Sequence, residues 1–300
     1  MPSNNQNHSD DHFTETSATI PSRRETYRNQ KARKAQKQRH AKASSKRRGC
    51  FFWTLLVIVV TLIFGGHYAY KKYISAKKAA DSIYNSSNIT KARDVNSTLK
   101  DGHPISVLLM GTDTGALGRT FKGRTDTMIV AVLNPEKKKM TVVSLPRDAE
   151  VAISGHEEYF PSKLNSAYEY GGSATAVKTV QKYLNVPIDF YATINMGGLE
   201  KLINAVGGVD VDPLLTFTYD GQSFEKGKKT HMNGKRALAY VRMRYDDPDG
   251  DYGRQARQRQ VLTQVAFKGA DLTNLINEKF LSTISKQMVT DLSFDDLVIL

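Results

Sequence analysis

Cysteine is almost missing from this chain of 300 residues, which has only Cys50. That excludes an intramolecular disulfide and any cysteine-based zinc cluster. Cys50 also precedes the apolar run beside it, so it does not stand where a lipoprotein attachment site would. Acidic residues are scarce at the N-terminus: residues 1–50 hold 12 Lys and Arg against 4 Asp and Glu, a net +8, whereas residues 51–300 carry a net +5. Most of the overall +13 therefore belongs to a tail and not to the folded part. No internal repeat is visible. The length suits one sizeable domain plus appendages.

The tail, 1–48, is polar and increasingly basic. It cannot bury enough apolar surface to offset its ordering entropy, so disorder is predicted. It lacks an aromatic-interleaved or helix-turn-helix pattern, so nucleic acid is not the expected partner. The next stretch gives its charge a simpler role. Residues 49–70, GCFFWTLLVIVVTLIFGGHYAY, hold no Asp, Glu, Lys or Arg. As a helix they would span ~33 Å, close to the ~30 Å of a bilayer core. Trp53 lies near one end, with Tyr68 and Tyr70 near the other, as interfacial belts do. The basic excess lies upstream, which predicts a transmembrane signal anchor with a cytoplasmic N-terminus and the bulk of the protein outside. A cleaved signal peptide is the alternative; the long leader and long apolar core argue against it. Residues 71–103 read as a stalk and linker, and the domain starts near Pro104.

Three short apolar runs follow: Ile105–Met110, Thr127–Leu133 and Met140–Leu145. They are β-branched, bounded by Gly, Pro or charge, and read as strands of a sheet covered on both faces. The connection NPEKKK predicts an antiparallel hairpin between the second and third. The start of one hairpin strand and the end of the next share an edge, which brings Asp126 and Arg147 together. If the first strand is also antiparallel to the second, Asp113 joins them. Carboxylates suit a hard divalent cation and guanidinium suits phosphate, so a metal–phosphate site is one reading. An ordinary strand-end ion pair is the other.

Farther along, 151–161 reads as a loop with a short extended piece. Residues 162–172 read as a short helix ending at a Gly pair, and 173–185 as an amphipathic helix. Residues 190–196 alternate as a strand, Leu199 to Val206 mark a helix, and Val209–Val211 begins another strand. This interleaving predicts an α/β fold: a three-layer α/β/α domain with a mixed central sheet. Asn233–Val241 is a short helix with a cap-like Asn, leading to Arg242 and Arg244. Asp251–Lys268 is a long helix with an inner stripe of Val261, Leu262, Val265 and Ala266. Near its start Asp251, Arg254 and Gln258 share a face, with Arg257 beside them. The positive end of the helix dipole favours an anion there, and a solvated basic helix end is the plain alternative. The stretch 276–300 continues with a helical pattern, and a last helix starts near Ser293. The domain would be completed by a swapped element or by chain beyond Leu300.

In order, GTD (111–113), GRTDTMI (123–129), SLPRD (144–148), KLNSAYEYGG (163–172), YVRMRY (240–245) and DYGRQARQ (251–258) resemble the motifs of the LytR–CpsA–Psr family. The likeness covers about residues 104–300. It implies an extracytoplasmic catalytic domain on a single-pass anchor in the membrane of a Gram-positive bacterium. The implied activity is a phosphotransferase. It moves an anionic glycopolymer (teichoic acid, capsule or related polysaccharide) from a polyprenyl pyrophosphate carrier to peptidoglycan.

By motif, Asp113 and Asp126 would hold Mg²⁺. Arg147, Asp251 and Arg254 would carry catalysis, while Lys163, Arg242, Arg244, Arg257 and Gln258 would line the pyrophosphate. The family's lipid tail lies in an apolar tunnel between sheet and helices. Arg119 and Lys122 fall in a loop where this sequence departs from the family pattern, and they are not carried over. Phosphoryl transfer needs positioning and charge neutralisation more than covalent help, which fits a site without a Ser–His–Asp or Cys nucleophile. Asp251 is a candidate base or, equally, the partner that orients Arg254. Two other classes remain: a membrane-bound regulator whose tail binds nucleic acid, and a module that holds polyprenyl phosphates without turnover.

Overall fold

The structure, a computed structural model, describes residues 23–85, 89, 91–112, 123–269 and 278–299. The chain divides into two units, 1–68 and 69–300. In the first, helix α1 (Arg23–Ile83) begins at Arg23 and runs on into the second unit. Composition predicts no order for 23–48, yet the stretch is helical; its Ala, Lys, Arg and Gln residues are strong helix formers. Residues 1–22 lie outside the described ones. Among the described residues no helix is long and apolar enough to cross a membrane. The expected anchor at 49–70 falls partly on residues 37–55, whose side chains are not described.

In the second unit, α2 (Val95–Lys100) is capped by Asp94, whose carboxylate accepts from the Asn96 and Ser97 amides. Then come β1 (Ile105–Thr112), β2 (Thr125–Asn134), β3 (Lys139–Ser144), β4 (Glu150–Val151), a 3₁₀ turn (Glu157–Tyr159), β5 (Ser162–Lys163) and α3 (Ser166–Leu184). They are followed by β6 (Phe190–Asn195), α4 (Met196–Ala205), β7 (Val209–Val211), β8 (Phe217–Tyr219), β9 (Gln222–Phe224) and β10 (Thr230–Met232). The last elements are α5 (Gly234–Arg242), α6 (Gly250–Gly269), α7 (Glu278–Gln287), β11 (Met288–Thr290) and α8 (Phe294–Ile299). Five strands form the central sheet in the order β11-β6-β1-β2-β3. β1 is parallel to β6 and antiparallel to β2, and β3 and β11 close the edges antiparallel, so the sheet is mixed.

The β2–β3 hairpin is the one read from NPEKKK, with Asn134 accepting from the Lys137 amide in its turn. β1 has no exposed residue. Its Leu108 and Met110 pack with Met128, Val130 and the α3 residues Ala176, Val177 and Val180, while Ile105 and Val107 pack with Val95, Leu99 and Phe190. The Gly pair separates two helical segments of α3, as expected: Gly171 and Gly172 are both non-helical, and Gly172 has a φ of 68°, which glycine adopts without strain. Asn233 caps α5 by accepting from the Arg236 amide, as its sequence position predicts. A third core cluster joins α4, α5 and α6 through Leu199, Ile203, Leu238, Val241, Val261 and Val265. The short edge strand β11 lies within 276–300, where the sequence pattern reads only as helix.

Candidate functional site

The hairpin register builds one half of the site. Ile129 pairs with Ser144, and the Leu145 amide donates to the Met128 carbonyl at 2.8 Å. Extending that register three residues past the pair on each strand sets Asp126 opposite Arg147. Arg147 Nη1 donates to Asp126 Oδ1 at 2.6 Å. Thr112, which precedes Asp113, pairs with Thr125, which precedes Asp126. Asp113, Arg119 and Lys122 themselves lie outside the described residues.

Asp148 extends the row. Its carboxylate lies 3.5 Å from Arg147 Nε and accepts from Lys163 Nζ at 2.8 Å. Lys163 arrives through the β4–β5 pair, which the Leu164 amide extends to the Ala149 carbonyl at 2.8 Å. The Lys163 hydrogen bond holds the Asp148 carboxyl below its ordinary value. Burial opposes it, and the charges of Arg147, Lys163 and Arg244 add to it. Because the folded value is the lower one, the pair adds stability above the unfolded pKa and loses it as pH falls through the folded pKa. The denaturant midpoint of the native chain should thus exceed that of Asp148→Asn at neutral pH. The gap should close on titration below about pH 4. A gap that stays constant down to pH 2 contradicts the assignment.

The second half comes from α6. Asp251, Arg254 and Gln258 share a face, and together with Asp126, Arg147 and Gln255 they line one small polar pocket. Arg254 Nη2 lies 2.6 Å from Asp251 Oδ1, and Gln255 Nε2 donates to Asp251 Oδ2 at 2.9 Å. Arg244 Nε stands 3.9 Å from the same carboxylate. Burial, more than anything else, pushes the Arg254 pKa down; Asp251 and Asp126 oppose that, and the like charges of Arg147 and Arg244 add to it. Guanidinium remains charged in such surroundings. Among the described residues the buried Nε atoms of Arg147 and Arg254, and the buried Asp251 Oδ1 beside them, make no hydrogen bond. A buried charged donor without an acceptor is costly, and an anion in the pocket could supply one.

Four expected residues stand apart from this pocket's lining: Lys163 and Arg244 reach only the neighbouring carboxylates of Asp148 and Asp251, and Arg242 and Arg257 lie farther off. Arg242 is exposed in the last turn of α5. Arg257 is 1% exposed, and its donors go to the Tyr240 carbonyl at 2.9 Å, to the Met243 carbonyl and to Asp247. It staples α6 to the end of α5. The sequence reading named neither Asp148 nor Asp247; only their places beside Arg147 and in the turn DDPDGD could have pointed to them.

Against the polar pocket lies an apolar cavity of about 230 Å³. Its walls come from β1 (Leu109), β6 (Ile194), α4 (Leu199, Leu202) and β11 (Met288). Val261, Leu262, Val265 and Ala266, the expected inner stripe of α6, all face it. Thr127 and Gln258 line both spaces, so the cavity ends where the guanidinium groups begin.

The family described as LytR_cpsA_psr matches residues 68–300. The Enterococcus faecalis polyisoprenyl-teichoic acid–peptidoglycan teichoic acid transferase TagU is 45% identical over 247 residues, 82% of this chain and 79% of that protein. The crystal structure of B. subtilis TagU aligns with a TM-score of 0.54 at 38% identity, over 66% of this chain and 80% of that one. A structure of TagT bound to LIIa-WTA aligns with a TM-score of 0.53 at 30% identity, over 65% and 72%.

Proposed function

The chain belongs to the LytR_cpsA_psr family, and on that premise we propose that it is a transferase moving an anionic glycopolymer of the teichoic acid class from a polyprenyl pyrophosphate carrier to peptidoglycan. The observation that carries this reading is the junction at Thr127 and Gln258. There an apolar cavity meets a pocket with two buried guanidinium nitrogens that make no hydrogen bond among the described residues. That pairing of spaces suits an amphiphile with a long hydrocarbon chain ending in pyrophosphate. Alternating β1 side chains meet separate core clusters, which supports the three-layer reading of the domain.

In the reaction the acceptor hydroxyl oxygen attacks the phosphorus that bears the glycopolymer. The bond from that phosphorus to the bridging oxygen breaks, and polyprenyl phosphate leaves with the electron pair. Charge grows on the leaving phosphate, and Arg147 and Arg254 are placed to meet it with preorganised donors. Asp251 holds Arg254 in place through their 2.6 Å contact. The hydroxyl proton passes to a carboxylate or to water; Asp251 is the candidate carboxylate within the pocket.

Mg²⁺ would be held by Asp126 together with Asp113 and phosphate oxygens, the usual habit of that ion. The donor set fits: Asp126 Oδ1 serves Arg147, and Oδ2 accepts no hydrogen bond among the described residues. No group of three His, Cys, Asp or Glu among the described residues could hold a metal, so ligation draws on Asp113 and substrate. Bound there, the ion would neutralise phosphate charge.

The apolar side chains exposed along α1, Leu56 to Phe64, support a single-pass anchor, and the basic excess upstream of it supports a catalytic domain outside the cell. Residues 69–300 shielded from protease added to intact cells would contradict that placement.

The carrier test uses Leu262→Trp, which fills the cavity without touching the pocket. It should raise KM for a long-chain polyprenyl donor about tenfold, a loss of ~1.4 kcal/mol, and leave a short-chain donor nearly unchanged. Equal effects on both donors would remove the carrier from this cavity.

A further inference from the structure

Tyr159, Phe160 and Tyr170 expose 53%, 62% and 39% of their surface. Tyr159 and Tyr170 stack with centroids 5.3 Å apart and planes 26° from parallel, and His156 lies 5.1 Å from Tyr170. The 3₁₀ turn and the first part of α3 bring these rings together, and Ser162 Oγ anchors the turn by donating to the Tyr159 carbonyl at 2.5 Å. Grouped exposed rings of this kind mark interaction surfaces.

Their position follows from a row of contacts. Gln258 and Thr127 line both the apolar cavity and the polar pocket. Arg147 follows in the pocket, then Asp148, then Lys163. Ser162, next to Lys163 in β5, touches Tyr159. The rings thus connect to the pocket through Arg147, Asp148, Lys163 and Ser162, none of which lines the cavity. In the transfer reading, on which this inference rests, the carrier occupies the cavity and the attacking hydroxyl must come in line from the side away from it.

We propose that Tyr159 and Tyr170 form a stacking platform for the acceptor glycan, receiving an uncharged N-acetylhexosamine ring and positioning its strand so that a hydroxyl reaches the pocket. Aromatic faces pair with the C–H face of a pyranose, and the surrounding carboxylates accept hydrogen bonds from its hydroxyls. Those carboxylates also select between the two substrates. Glu157, Glu158 and Glu169 rim the rings; Lys182 pairs with Glu157 at 3.3 Å, Arg124 with Glu169 at 2.7 Å, and His156 lies 3.9 Å from Glu158. Among the described residues the cations named at the rings are paired, which favours a neutral sugar strand over an anionic donor polymer.

The test titrates the full-length chain in detergent micelles with β-1,4-linked N-acetylglucosamine tetrasaccharide, followed by calorimetry and by saturation-transfer NMR. The wild type should bind saturably, with strongest transfer to ring C–H protons. Tyr159→Ala and Tyr170→Ala should each weaken binding about tenfold, while the Phe variants stay within about twofold. In transfer assays the Ala variants should raise KM for acceptor and leave KM for donor unchanged. Absent binding by the wild type, or Ala variants that bind as it does, would overturn the platform. Should the Ala variants fail to fold, the wild-type saturation pattern decides, and one without ring C–H contacts also overturns it. Tetrasaccharide binding without polymer transfer would instead sink the transferase reading and leave the platform standing.

Discussion

Arg147→Ala and Asp126→Ala should each reduce polymer transfer by at least about a thousandfold in a reconstituted membrane assay. Removing one preorganised donor to a developing oxyanion costs roughly 10²–10³ in rate, and Arg147 adds a full charge to that donor. Its side chain is 17% exposed, so water does little to replace it. Asp126→Ala acts twice. It leaves Arg147 without the carboxylate that orients it at 2.6 Å, and it removes a proposed ligand of the magnesium ion. The two losses share one contact, so the double variant should fall well short of the product of the singles. Arg147→Lys keeps the charge and loses the planar fork, and should recover only a small part of the activity. Both positions lie at strand ends and not in the core, so thermal midpoints should stay close to the native value. Unchanged transfer by both Ala variants would rule out this pocket as the reaction site.

That prediction was legible in the sequence because it depends on local rules. A hairpin turn fixes its register, and register alone places Asp126 opposite Arg147. The face shared by Asp251, Arg254 and Gln258 follows from helical spacing in the same way. What spacing leaves open is which way a face points. Arg257 and Gln258 are neighbours in sequence but about 100° apart around the helix. Only packing against α5 decides that Gln258 meets the pocket and Arg257 the interior. The stripe from Val261 to Ala266 was visible as apolar, yet only the assembled sheet shows that it walls a cavity. Strand β11 escaped for another reason. Its three residues carry no periodic signal, and it exists because β6 offers an edge from a segment far away in sequence. Helix α1 shows the opposite case: charge composition argued for disorder, while the same residues have high helix propensity.

Asp247→Ala should destabilise the domain by about 3–5 kcal/mol, the usual consequence of leaving one buried ion without its partner. The Asp247 and Arg257 side chains are 4% and 1% exposed. For a domain of this size the loss corresponds to a fall of very roughly 10 °C in thermal midpoint. Replacing both residues by apolar ones would not restore it, since Arg257 also satisfies the Tyr240 and Met243 carbonyls at the end of α5. Gly253→Ala should act along the same route: an added Cβ would meet Asp247 Oδ2 at 2.1 Å and drive that carboxylate off Arg257. Thermal unfolding followed by circular dichroism checks both, and a midpoint within a degree or two of native would show that the pair holds nothing. Neither Asp247 nor Arg257 lines the polar pocket, so the loss of the pair should be separable from transfer. At a temperature where Asp247→Ala remains folded, transfer should stay within about tenfold of native, because Arg254 keeps its contact with Asp251, which Gln255 holds in turn. Arg147→Ala should show the reverse pattern, a native midpoint with transfer lost. Two arginines of the same charge are thereby assigned different work, one to holding α5 against α6 and one to the phosphate.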